Sequence, residues 1–413
     1  MTGQIRRLSL SEYRTEPAVP LTRDEREALQ AFVSTVTVVP ARGLDGCFDL
    51  TPSSWIGAIE LPTLAIEIRP KVSLEHVFFL ISYALDPRAW RDTTFAFGAE
   101  PTLLETIIPP FASAVGKALH RGVLQGYRVE EEALQTVRGQ IRFDEQIKRR
   151  YGRIPPVELR FDEFTEDIDP NRVLKSALDR LGRLRIRNAE ARRALRGFDR
   201  ALERVRLVEY DPRRFPEIAY TRLNAHYRPA IELAKLIIRA ASIELVHGEH
   251  RATSFLIDMN RVFEDFVVVA LREALRVGPS VFPQGARRRA LWLDRGHRVR
   301  LRPDISWWEG QTCVFVGDVK YKRVQVTEIE HPDVYQLLAY TIATGLPGGL
   351  LIYSADEAMP VEHEIPLADK GLRITTLDLR DGPDEILARV RQVASQIRRL
   401  RGEASTLSRA WAA

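Results

Sequence analysis

Two short segments, Leu301-Arg302-Pro303-Asp304-Ile305 and Val316-Gly317-Asp318-Val319-Lys320, each read as a strand that delivers an acid. Asp304 follows a proline, at a kink. Asp318 and Lys320 stand two apart in an extended strand and therefore project to one face. Carboxylates from two strands suit a hard cation such as Mg²⁺ or Mn²⁺, which takes oxygen ligands from one or two carboxylates and keeps water for the reaction. A lysine beside them adds a compact charge that orients or deprotonates an attacking water and offsets charge growing on a phosphate, work that a permanently charged arginine could do only in part. The chemistry this set serves is phosphodiester hydrolysis. Of the 61 basic residues 53 are arginine and eight lysine, so a general taste for basic residues does not explain Lys320.

Two helices flank these strands. The upstream one carries Asn260-Arg261-Val262-Phe263-Glu264-Asp265-Phe266, with Glu264 one position from an apolar stripe of Phe263, Phe266 and Val267. There it reads either as an acid that reaches the cation or as an acid favoured near a helix N-terminus. The downstream helix carries Gln336 and Tyr340, four apart on one face; Gln336 reads either as an auxiliary polar group of the site or as a packing residue bonded to a carbonyl. Arg287-Arg288-Arg289, in a loop ahead of the strands, and Lys322 beyond them are candidates for DNA phosphate contact. Trp307 and Trp308 read as edge packing rather than base-stacking platforms. Histidines are scattered and only His247 and His250 lie close together, which argues against zinc, and no Gly-x-Ser-x-Gly elbow supports a serine hydrolase.

The elements that must position these groups give an α/β, multidomain α+β chain. Residues 1–90 read as a small β-rich domain, with strands at Val36–Val39, Cys47–Leu50, Trp55–Leu61 and Leu64–Ile68 and a closing helix at Leu74–Leu85. Residues 91–250 read as a helical middle domain, in which Arg150–Asp169, with a double proline and an acidic run, is expected to be an irregular connection. Residues 251–413 alternate helix and strand, ending in a helix over Asp384–Arg401. At 45% hydrophobic and 28% charged residues over 413 positions, the chain has the apolar content of two or three domains, and no apolar run approaches the ~20 residues that cross a bilayer. Met1–Leu10 shows no secretory pattern and the two cysteines, Cys47 and Cys313, are too few for a disulfide framework, so a cytoplasmic protein is expected. The net charge of +5 is concentrated in Asn171–Arg214, where 14 basic and six acidic residues leave +8, a stripe suited either to a phosphate backbone or to ion pairs along solvated helices.

Met259–Phe266, Arg302-Pro303-Asp304-Ile305, Asp318-Val319-Lys320-Tyr321-Lys322 and Tyr335-Gln336-Leu337-Leu338-Ala339-Tyr340 together resemble the PD-(D/E)xK nuclease core as it occurs in the McrC family, the endonuclease subunits of McrBC modified-cytosine restriction systems. Ile68-Arg69-Pro70-Lys71, Tyr127–Arg142, Asp169-Pro170-Asn171-Arg172 and Asn224-Ala225-His226-Tyr227 extend the resemblance over most of the chain. It implies a C-terminal restriction-endonuclease-like domain cutting DNA with Mg²⁺ or Mn²⁺. Asp304, Asp318, Glu264 and the Val319 backbone carbonyl would be metal ligands, Lys320 the catalytic lysine and Gln336 an auxiliary group. It also implies a partner, a McrB-like AAA+ GTPase ring, contacted through the N-terminal region. Consistent with that division, no Gly-x-x-x-x-Gly-Lys-Ser/Thr loop occurs in the chain. Two other readings remain open: a RecB-like end-dependent nuclease, from the Gln-x-x-x-Tyr helix, and a non-catalytic DNA-binding regulator of an AAA+ ring.

Overall fold

The computed structural model describes residues 5–30, 32, 34–85, 87, 103–184, 186, 188–211, 214–240, 244–247, 250–285, 290–322, 331–354 and 361–412, with main chain alone at 244–247, 250–253 and 405–412. The chain divides into two compact units, one built from residues 1–94 and 256–413, the other from residues 95–255. Where the sequence suggests three successive domains, the first and last segments thus form one unit. The physical reason is burial: the apolar face of the early helix needs a partner, and it finds it on a helix almost two hundred residues later.

The first unit begins with β1 (Arg6–Ser11), β2 (Glu16–Pro20), α1 (Arg23–Gln30), β3 (Val36–Pro40), β4 (Cys47–Pro52), β5 (Trp55–Glu60), β6 (Leu64–Arg69) and α2 (Leu74–Leu85). β2, β4 and β3 make one antiparallel sheet, while β1 pairs parallel to β6 and β6 antiparallel to β5. β6 alternates buried Leu64, Ile66 and Ile68 with more exposed neighbours, the period of a strand with one covered face.

In the second unit come α3 (Leu103–Leu119), β7 (Gly126–Leu134), β8 (Gln140–Ile141), α4 (Phe143–Arg150), β9 (Val157–Thr165), α5 (Asp169–Arg183), α6 (Ala189–Ala201), α7 (Arg228–Ala240) and β10 (Glu244–His247). The expected irregular connection over Arg150–Asp169 is overturned, because β9 forms there and pairs with both β7 and β8. Its period-2 signal, buried Val157, Leu159 and Phe161 alternating with Glu158, Arg160 and Asp162, is present in the sequence but short, and it stands between a double proline and an acidic run. Acids of this sheet have cationic partners beside α4: Glu158 of β9 holds Arg150 at 2.9 Å and Glu131 of β7 holds Arg142 at 3.0 Å. The Asp169-Pro170-Asn171 turn and the Asn224–Tyr227 segment meet at Leu124, whose carbonyl accepts from Asn171 Nδ2 at 2.7 Å and whose N–H donates to the Tyr227 hydroxyl at 2.9 Å. The basic stripe is partly consumed inside the unit, since Arg172 binds Asp167 at 2.7 Å and Lys175 lies 3.7 Å from Asp199. Arg192, Arg193, Arg196 and Arg200 on α6 are exposed.

The chain re-enters the first unit within β11 (His250–Asp258) and continues through α8 (Met259–Leu275), β12 (Leu291–Trp292), β13 (Arg300–Leu301), β14 (Ile305–Glu309), β15 (Thr312–Lys320), α9 (His331–Thr344), β16 (Gly348–Tyr353), β17 (Val361–Ile365), β18 (Lys370–Thr376) and α10 (Pro383–Ala412). A five-stranded sheet runs β14-β15-β16-β18-β17, with β15, β16 and β18 parallel and both edges antiparallel. β15 is buried from Cys313 to Val319 and β16 throughout, as expected of parallel strands covered on both faces; α8, α9 and α10 all pack on β15. α2 lies on α8, where the Phe79 and Tyr83 rings meet the Phe266 ring edge-on at 5.4 and 5.5 Å. α10 buries Ile386, Val390, Val393 and Ile397 and runs eleven residues beyond its expected end. Trp307 and Trp308 are buried, the latter donating from Nε1 to Ser306 Oγ at 2.9 Å.

Gly317 sits where β15 is squeezed between both neighbours. A Cβ there would lie 2.7 Å from the Leu350 carbonyl oxygen and 3.1 Å from the Ile305 side chain. Gly317→Ala is therefore expected to lower the unfolding free energy by about 1–3 kcal/mol in urea titrations. Gly182→Ala, in a helix with open space around it, should instead raise it by about 0.5–1 kcal/mol.

Candidate functional site

Asp304 occupies the bend between β13 and β14, where Pro303 interrupts the strand, and Asp318 and Lys320 end β15. The structure brings all three together. Asp304 Oδ2 accepts a 2.9 Å hydrogen bond from the backbone N–H of Val319, which ties the bend to β15 between its acid and its lysine. Lys320 Nζ lies 2.6 Å from Asp318 Oδ2. Asp318 is 0% exposed, yet neither of its oxygens receives a well-aligned hydrogen bond among the described residues.

The electrostatics follow from burial. The Asp304 carboxyl is pushed up to about 8, first by desolvation and then by the charges of Asp318 and Glu264. Glu264 is also raised, mainly by burial, against the opposing pull of Arg261 and Gln284. Burial alone would lower the Lys320 ammonium, but Asp318 against it and Asp304 behind hold it above the ordinary lysine value. Lys320 is thus held as an ammonium paired with Asp318.

Glu264, on the second turn of α8, accepts from Gln284 Nε2 at 2.8 Å and from Arg261 at 3.4 Å through Oε1. Gln336 donates to the Tyr340 hydroxyl at 2.6 Å, and that hydroxyl donates to the Arg302 carbonyl at 3.0 Å. The pair thus grips the main chain two residues before Asp304. Burial with Asp318 and Asp304 nearby pushes the Tyr340 phenol far above its usual value, so it remains a donor. Lys322 is placed on a buried carboxylate, Asp333, at 3.3 Å, where Tyr353 also donates at 2.8 Å. Arg287, Arg288 and Arg289 lie outside the described residues.

The sequence reading missed a second layer. The Tyr321 hydroxyl donates to Glu12 Oε1 at 2.7 Å, the Lys71 N–H donates to the same oxygen at 2.8 Å, and the Lys71 ammonium stands 3.8 Å over the Tyr321 ring. Lys71 Nζ also reaches Ser354 Oγ at 3.1 Å, and the Ser354 N–H donates to the Lys320 carbonyl at 3.1 Å. No local pattern announces contacts across some three hundred positions, although Lys71 is one of the eight scarce lysines.

Among the described residues no group of three or more His, Cys, Asp or Glu is arranged to hold a metal ion. The smaller donor set nevertheless fits a hard cation: all its atoms are oxygens, and the buried Asp318 oxygens lack the aligned donors that buried carboxylates normally have. None of the described helices is long and apolar enough to cross a membrane.

Fold and site together define an α/β protein with an acid pair and a lysine at the end of a central parallel strand. The chain belongs to the family described as McrBC 5-methylcytosine restriction system component, whose model matches residues 50–354. Among solved structures, it resembles a chain of a refined half-complex from a tetradecameric assembly of Thermococcus gammatolerans McrB AAA+ hexamers with bound McrC, at 16% identity and a TM-score of 0.52, covering 95% of this chain and 100% of that one. A chain of the Thermococcus gammatolerans McrBC complex matches at 18% identity and a TM-score of 0.39, over 65% and 88% of the two chains. No curated protein matches the sequence. The first likeness shows a shared fold.

Because the folded-state value of Asp304 lies above its ordinary 3.8, the protonated form is favoured by folding. Its contribution to stability is complete below the unfolded value and is lost as pH rises toward about 8. In chelator, Asp304→Asn, which keeps an acceptor for the Val319 N–H but cannot ionise, should therefore gain thermal stability over the wild type as pH goes from 5 to 8.5. Scanning calorimetry across that range checks it, and a wild type more stable than the variant at the alkaline end contradicts the assignment.

Proposed function

We propose that the chain is the endonuclease subunit of a modification-dependent restriction system, a metal-dependent PD-(D/E)xK hydrolase of DNA phosphodiesters. The observation that carries this reading is the buried Asp318 carboxylate, its oxygens without aligned donors and its neighbours a second acid and a lysine. Two acids so close and so buried share the single charge of Lys320, and a divalent ion would balance the remaining negative charge.

Asp304, Asp318 and the Val319 carbonyl would hold Mg²⁺ or Mn²⁺, with Glu264 as the helix acid beside them. When bound, that ion supplies Lewis-acid polarisation of the phosphodiester and neutralisation of its growing charge. The protein's own groups do the rest. Lys320 presents an ammonium to the anionic substrate and to the entering water. The Val319 N–H fixes one Asp304 oxygen and with it the direction of that carboxyl. Tyr340, set by Gln336, anchors the Arg302 carbonyl and with it the bend that aims Asp304. The mainly buried walls of β14 and β15 keep bulk water away and strengthen each of these interactions.

The partner we propose is a McrB-type AAA+ GTPase ring that recognises and translocates the DNA, in a cytoplasmic assembly. Family membership supports it, as does the fold shared with a chain of an assembly of McrB hexamers with bound McrC. The test is cleavage of closed circular DNA carrying methylated cytosine, with Mg²⁺, GTP and such a ring. The wild type should cut the circle. Asp318→Asn and Lys320→Ala should each reduce cutting by about a thousandfold or more while leaving the ring's GTP hydrolysis unchanged. Cutting of linear DNA alone would favour an end-dependent nuclease, and undiminished cutting by both variants would remove the catalytic assignment.

A further inference from the structure

Gln284 takes part in neither the acid pair nor the lysine contact, yet it joins the two elements that bear the outer acids. Its main chain is held along β14: Gln284 forms an antiparallel bridge to Ile305, the Gly285 N–H donates to the Asp304 carbonyl at 3.0 Å, and the Trp308 N–H donates to the Val281 carbonyl at 2.9 Å. Phe282, fully buried beside Trp307 and Phe315, anchors the same stretch from within. Gly285, at φ +61°, makes the left-handed turn that ends it. The side chain then leaves the strand for α8. Its Nε2 donates to Glu264 Oε1 at 2.8 Å and to Asp265 Oδ1 at 2.5 Å, so both N–H bonds of one amide are committed to two carboxylates.

From this geometry we infer that Gln284 is a positioning residue, the neutral donor that orients the Glu264 carboxylate toward the acid pair. This rests on the function proposed above. An amide suits the task better than a cation. Arg261 already supplies positive charge to Glu264 and Asp265, at 3.4 and 3.0 Å. A second cation at position 284 would cancel negative charge that a divalent ion needs, whereas an amide aligns a carboxylate without neutralising it. Glu264 is thus held through Oε1 by Gln284 and Arg261, close enough to the acid pair for its charge to act on Asp304. Gln284 acts on the cation only through Glu264.

The test is a double-mutant cycle on Mn²⁺ binding by the full chain, measured by isothermal calorimetry. Gln284→Met removes the donors at similar length, Glu264→Gln removes the charge being oriented, and the double variant closes the cycle. Gln284→Met alone should weaken Mn²⁺ about tenfold, and in the Glu264→Gln background its effect should fall below about twofold. Gln284→Ala serves as a second variant, with thermal unfolding to confirm that each protein is folded. Equal weakening in both backgrounds, or no weakening in either, overturns the positioning role while leaving the proposed function standing. A wild type that binds no Mn²⁺ overturns the proposed function itself, and this inference with it.

Discussion

The site depends on two aspartates held close together in a place where water does not reach Asp318. Like charges buried side by side repel, and without relief one of them takes up a proton, which is the state described for Asp304, pushed up to about 8. Much of what surrounds the pair answers this constraint. Lys320 stands against Asp318, the Val319 N–H bonds Asp304, and Tyr340 fixes the bend from the carbonyl side. Lys320 is one cation for two buried acids, so the constraint is eased but not removed.

The same unit shows how far the support extends. Glu12, Tyr13 and Lys71, from the turns that follow β1 and β6, meet Tyr321, the residue after Lys320, and Ser354, just past the end of the neighbouring strand. Lys320 is thus held from its own strand, from β16 through Ser354, and from a segment about three hundred positions earlier. Glu12, Tyr13, Lys71 and α2 are therefore no appendage to the sheet that carries Asp318 and Lys320. They form part of its wall, with α2 packed on α8 supplying the apolar contact.

How much could be read beforehand varied with the kind of signal. The end of β15 was legible, Val316–Lys320 reading as a strand, because the run from Cys313 to Val319 is almost wholly apolar and stops at Lys320. α2 likewise matched its helical period from Leu74 to Leu85. β9 was overlooked although Val157–Asp162 alternates apolar and charged residues, since a double proline precedes the strand and Glu163-Phe164 breaks the alternation. Lys322 shows the limit for single residues: its position two beyond Lys320 suggests a DNA contact, while its ammonium is placed on buried Asp333. The arginine stripe divides in the same way, Arg172 turning inward to Asp167 while the α6 arginines face solvent.

By itself the sequence determined the residue types and their spacing along strands, and hence that Asp318 and Lys320 share a face and that an acid follows a proline kink one strand earlier. Periodicity is a local property, and these are local statements. Only the tertiary structure decided which oxygens are spoken for. That Glu264 is engaged through one oxygen by Gln284, that Gln336 acts through Tyr340 on the Arg302 carbonyl, and that Lys71 braces Tyr321 all depend on the approach of segments separated by tens to hundreds of residues. Hydrogen bonds at such separations follow from the packing of apolar faces, which brings the segments together before any polar group can choose a partner.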